Sequence, residues 1–174
     1  SNGFLTMVLT PLFGIFFTSI ELFQKVSLSL AYLLATTLPF LILKKLGKIS
    51  DYEFTDRRER PPYFLSVSML YGVLSLIVYG FQIPSLSEIA LALFLTSATI
   101  SFITLFWKIS GHMTYSTLLF CTLAYLFSPY FFLLFLFSPF IGWSRIVLKK
   151  HTLLQVIGGT VVTFLICVLI YWVF

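Results

Sequence analysis

Long uncharged apolar runs decide what this chain can fold into. Phe4–Ile20, Val26–Leu43, Tyr63–Phe81, Ile89–Trp107, Met113–Trp143 and Thr152–Phe174 contain no Lys, Arg, Asp or Glu. Most have the roughly 17 to 25 residues that cross a hydrocarbon core about 30 Å thick. At that depth the backbone finds no water, so its polar groups must be paired inside a helix or a closed barrel. Barrel strands alternate apolar and polar residues, whereas these runs are apolar on every side. With 59% hydrophobic and 10% charged residues, little is left to coat a soluble domain. The expectation is an all-α, polytopic transmembrane helix bundle forming one domain over residues 1–174.

Met113–Trp143 is too long for one crossing, and Ser128-Pro129 interrupts it, so it reads as two short helices in a hairpin. That gives about seven spans. The first run lacks a basic leader and a small-residue cleavage site and is read as a span, not a signal peptide. Cys121 and Cys167 lie inside apolar runs, where cysteine packs as a small hydrophobe. No metal-ligand or disulfide spacing is present, and neither a cofactor nor a nucleic-acid partner is expected.

Charge placement tests the count. With seven crossings, segments 44–62, 108–112 and 144–151 share one face with the N-terminus, and that face receives every Lys and Arg except Lys25. Removing one central span would scatter the basic residues over both faces. The positive-inside rule makes this face cytoplasmic, in the cytoplasmic membrane of a prokaryote. Trp107, Trp143 and Trp172 fall at expected span ends, where interfacial tryptophans gather.

The only two histidines, His112 and His151, both lie on the basic face at the mouths of helices. A histidine at a membrane interface is most often an amphipathic side chain, and basic residues beside it most often touch headgroups. Here both histidines, Arg145 and the Arg57, Arg58 and Arg60 cluster must converge on one face of a small bundle. His151 and Gln155 are one helical turn apart and share a face, so Gln155 is placed to brace the ring.

Ser110-Gly111-His112 before one helix, then Ser144-Arg145, five residues and His151 opening a later helix, resembles two of the three motifs of the type 2 phosphatidic acid phosphatase family. The resemblance runs from about Lys108 to the C-terminus and implies a six-helix phosphatase core plus one further helix. It also implies roles. His151 would attack phosphorus and form a phosphohistidine, dividing one displacement into two. His112 would protonate the leaving oxygen. Arg145 would grip phosphate oxygens, with Ser144 beside it and Ser110 and the Gly111 amide as further donors.

The chain departs from the family pattern in three places. The first motif, Lys, six residues, Arg-Pro, survives only as Arg60-Pro61; Glu53 stands at the Lys position, and the segment lies two helices upstream of Ser110. Arg57, Arg58, Arg60 and Lys108 are the candidate replacement cations. Ile109 stands where proline usually precedes Ser-Gly-His. Gln155 stands where Asp orients the nucleophile; it can accept the same hydrogen bond but brings no charge.

The leading expectation is a metal-independent enzyme that removes phosphate from a membrane lipid such as a phosphatidate, phosphatidylglycerol phosphate or polyprenyl diphosphate. The alternative is a family member without catalysis that binds or moves a phosphorylated lipid. A transport path would place ionisable groups near the midplane, and these spans have no Lys, Arg, Asp or Glu.

Overall fold

Prolines and polar caps set the helix ends in a computed structural model that describes residues 2–51, 54 and 56–173. Glu53 lies outside the described residues. Seven α-helices run in chain order through the described residues: α1 (Asn2–Phe17), α2 (Leu22–Lys45), α3 (Arg60–Gly80), α4 (Leu86–Phe106), α5 (Gly111–Leu126), α6 (Ser138–Val147) and α7 (Leu153–Val168). No strand occurs among the described residues. Glu21 and Gln24 cap α2 reciprocally, as Thr152 and Gln155 cap α7. Pro61 and Pro62 occupy the first turn of α3, where a missing N–H costs nothing.

Ser128-Pro129 does break the long apolar run, but it opens a nine-residue 3₁₀ stretch, Pro129–Phe137, that continues directly into α6. Pattern alone does not separate 3₁₀ from α in so uniformly apolar a segment. Five helical stretches are long and apolar enough to cross a membrane: 22–45, 57–80, 86–106, 129–147 and 153–173. The first and fifth α-helices, each of 16 residues, are shorter than that standard.

The central helix is α5. Met113–Leu119 and Cys121–Ala124 are buried, against α1, α4, α7 and the 3₁₀ stretch. Hydroxyl pairs join the helices inside: Thr36 Oγ1 to Tyr71 Oη at 2.7 Å, Ser97 Oγ to Tyr115 Oη at 3.1 Å, and Thr122 Oγ1 to Tyr171 Oη at 2.9 Å. Such bonds join helices where apolar burial alone gives little selectivity. Gly159 lets α7 approach the backbone at the start of α5, since a Cβ there would lie 2.8 Å from the Ser110 carbonyl oxygen.

Contacts at the two ends fix the direction of each helix. At one end Arg60, before Pro61, bonds to Ile109, and Ser110 N–H donates to the Gln155 carbonyl at 3.2 Å. At the other, the rings of Phe17 and Phe127 meet edge to face at 4.6 Å, and residues 17–22 and 24 line an open cavity with 81–85. The segments expected to share the basic face therefore do share one end.

Candidate functional site

The geometry of the basic end begins with how α6 stops. Lys149 adopts a left-handed conformation, φ 53°, which turns the chain back on itself. The Arg145 carbonyl then accepts from the N–H groups of both Lys150, at 3.0 Å, and His151, at 3.2 Å. The five residues between Arg145 and His151 are thus the length of this closing turn.

His151 is 8% exposed, and its Nδ1 lies 3.1 Å from Gln155 Oε1. The same Oε1 accepts the Thr152 backbone N–H at 3.2 Å. A backbone N–H needs an acceptor, so it is the amide oxygen of Gln155, and not its NH₂, that faces His151. Nδ1 therefore carries the proton, and the Nε2 lone pair is left available. Burial, then the Arg60 cation, with smaller effects from Lys108 and His112, pull the ring down to about 4 against the opposing Gln155 bond. The imidazole is neutral at pH 7.

His112 occupies the first turn of α5. Arg145 Nη1 lies 3.1 Å from its Nε2. A guanidinium only donates, so Nε2 is the acceptor in this contact.

Of the three candidate arginines, Arg60 is the one inserted into the cluster. It is 6% exposed, donating from Nη1 to the Ile109 carbonyl at 2.9 Å and from Nε to the Phe54 carbonyl at 3.1 Å. Arg57 is half-buried and Arg58 exposed on the turn capped by Asp56. Lys108 is held below the ordinary lysine range by partial burial, then by Arg60 and Lys150, against the pull of Asp51 and Asp56.

Other expected residues are placed differently. Ser144 Oγ donates to the Ile141 carbonyl of its own helix at 2.7 Å, so its hydroxyl is engaged there. The Ser110 hydroxyl is fully buried beneath the cluster, with no hydrogen-bond partner among the described residues. Gly111 opens α5, and a Cβ there would meet only Phe64, at 3.8 Å. Close packing does not demand glycine at that position.

Thr152, Asp51 and Lys150 were not singled out from the sequence. For Thr152 a signal exists: Thr-x-x-Gln is the pattern of a helix capping box. For Asp51 and Lys150, no spacing distinguishes them from neighbouring charges. Among the described residues, no group of three His, Cys, Asp or Glu is arranged to hold a metal ion.

No family model, curated protein or solved structure matches this chain.

Proposed function

We propose that this protein is a membrane-embedded phosphatase acting on the phosphate or diphosphate of a lipid through a phosphohistidine, as the resemblance to the type 2 phosphatidic acid phosphatases implies. The observation that carries the reading is His151: a neutral imidazole with its Nδ1 proton held by Gln155, which leaves Nε2 unprotonated, and the Arg60 and Lys108 cations acting on it.

In the proposed reaction, a phosphate monoester enters as the monoanion and draws Arg145 away from His112. The substrate's proton passes to the Nε2 thus released. His151 Nε2 attacks phosphorus as the ester P–O bond breaks, and His112 gives its proton to the departing oxygen. Water then attacks the phosphohistidine as the N–P bond breaks, losing a proton to His112, which returns it to the departing phosphate. Arg60, Arg145 and Lys108 stabilise charge on the phosphoryl oxygens. The lipid preference follows from a polar cluster at one end of an otherwise apolar bundle. The positive-inside rule puts that end on the cytoplasmic side.

The test is phosphate release by purified protein from phosphatidate, phosphatidylglycerol phosphate and polyprenyl diphosphate with a chelator present. Release is expected from at least one lipid, and His151→Ala abolishes it while the protein stays folded. The neutral Gln155 in place of a carboxylate favours a second reading, a lipid-phosphate binder without turnover. No release from any lipid, with Arg145→Ala weakening lipid binding, would select it.

A further inference from the structure

An apolar groove of about 850 Å³ lies between α5, α6 and α7. Its walls succeed the site residues in sequence: Met113 comes after His112, Ile146 after Arg145, and Val156 after Gln155. The groove exists because α6 has one buried residue, Gly142, at its crossing with α7. A Cβ there would lie 2.6 Å from Val156 Cγ1. Away from that crossing α6 stands off the bundle, leaving Trp143 66% exposed on the groove wall. The groove continues down α7 from Leu153 to Val161, a helical rise of about 12 Å.

We propose that this groove holds the hydrocarbon chain of the same phosphate ester whose head lies among His112, Arg145 and His151. The inference rests on the function proposed above and makes the groove a selector of chain length. Its volume falls within the roughly 300–1,000 Å³ of sites that enclose small molecules. Its lining is almost wholly apolar, and Met113, Ile146 and Val156 on its wall directly follow His112, Arg145 and Gln155 in the chain. A molecule complementary to both has an anionic head joined directly to an alkyl or isoprenyl chain. Carbon–carbon bonds of about 1.5 Å in an extended zigzag advance about 1.25 Å per methylene, so about ten carbons span the groove.

The experiment is binding of n-alkylphosphonates, which are not hydrolysed, with chains of four to fourteen carbons. The full chain is held in lipid nanodiscs, and binding is read by tryptophan fluorescence with Trp143→Phe identifying the reporter. Affinity is expected to rise about fourfold per methylene to about ten carbons and then level off. Thr160→Phe, at the deep end, should bring the plateau to shorter chains while leaving butylphosphonate affinity unchanged, which also verifies that the variant folds. Affinity that climbs through fourteen carbons, ignores Thr160→Phe and leaves Trp143 silent would place the chain in the bilayer and overturn the groove. Intact length selection without turnover of any lipid would overturn the enzyme reading and leave the groove standing. Turnover insensitive to chain length, with flat phosphonate affinities, would do the reverse.

Discussion

Replacing Gln155 by Glu isolates what a negative charge at this position does to His151. The variant keeps the side-chain length and the oxygen that takes His151 Nδ1–H at 3.1 Å and Thr152 N–H at 3.2 Å, and it adds one negative charge. In the native protein, burial and the Arg60 and Lys108 cations pull His151 from its ordinary 6.5 to about 4. Two unit charges about 4 Å apart interact by about 4 kcal/mol at an effective dielectric of about 20. That corresponds to about 3 pKa units. Residue 155 is only partly buried, so solvent screening reduces the effect to about 1–2 units. His151 in the variant should therefore titrate between about 5 and 6.

Because the chain has two histidines, ¹⁵N-histidine labelling gives two imidazole signals, and His112→Gln assigns them. The native ring should carry its proton on Nδ1 and titrate near 4. The variant should keep that tautomer at the higher midpoint. An unmoved midpoint, or a native His151 protonated on Nε2 or titrating near 6.5, would refute the reasoning. The sign for stability comes from the same shift. The folded value lies below the unfolded one, so between about 4 and 6.5 the unfolded chain binds more protons. Stability conferred by a neutral His151 is full above 6.5 and falls as pH drops through that window. Glu at 155 narrows the window, so the melting temperature should fall less on acidification.

The remaining expectations concern the cations and the helix contacts. If the proposed reaction holds, Arg60→Gln should lower kcat/KM by about 10²–10³-fold through lost charge stabilisation; independently of it, His151 should titrate higher because Arg60 helps depress it. Arg58→Gln, on the exposed turn, should stay within about twofold of native in the phosphate-release assay. Gly159→Leu forces a Cβ to within 2.8 Å of the Ser110 carbonyl oxygen. A cost of about 1–3 kcal/mol and a lower melting temperature in detergent should result. Gly111→Ala meets only Phe64 at 3.8 Å and should leave the melting temperature nearly unchanged.

Much of this arrangement is legible in the sequence, for identifiable reasons. The absence of charge over Val26–Leu43 or Ile89–Trp107 leaves only helical solutions, and α2 and α4 result. The grouping of basic segments at one end comes from span parity, and the contacts of Arg60, Ser110 and His112 at that end agree with it. The His151–Gln155 pairing is legible, but its expected basis is not what forms it: His151 precedes the Thr152 cap, and Gln155 reaches back to it from the first turn of α7 instead of sharing a helical face with it. The features that sequence leaves open depend on depth and on the third dimension. Arg57, Arg58 and Arg60 are chemically alike, and only the turn of Asp56–Glu59 into α3 decides which one is buried. The engagement of Ser144 with its own helix needs a rotamer that composition does not specify. The 3₁₀ geometry of Pro129–Phe137 has the same apolar composition as an α-helix would.

The packing divides the cluster into a fixed half and a yielding half. His112 stands on α5, the most buried helix, and His151 and Gln155 stand at the start of α7, stitched to α5 by the Ser110–Gln155 backbone bond. Arg145 rides on α6, whose single buried residue is Gly142. A reaction through His151 needs the ring pair held to a fraction of an ångström, while a guanidinium that must leave His112 for a phosphate needs freedom to move. Elements with few buried contacts are the ones that open at low cost. In the proposed reaction, the cost of separating Arg145 from His112 then falls on the helix least committed to the core. The same helix forms one wall of the groove, so filling the groove with a chain and drawing Arg145 toward the phosphate would act on one element.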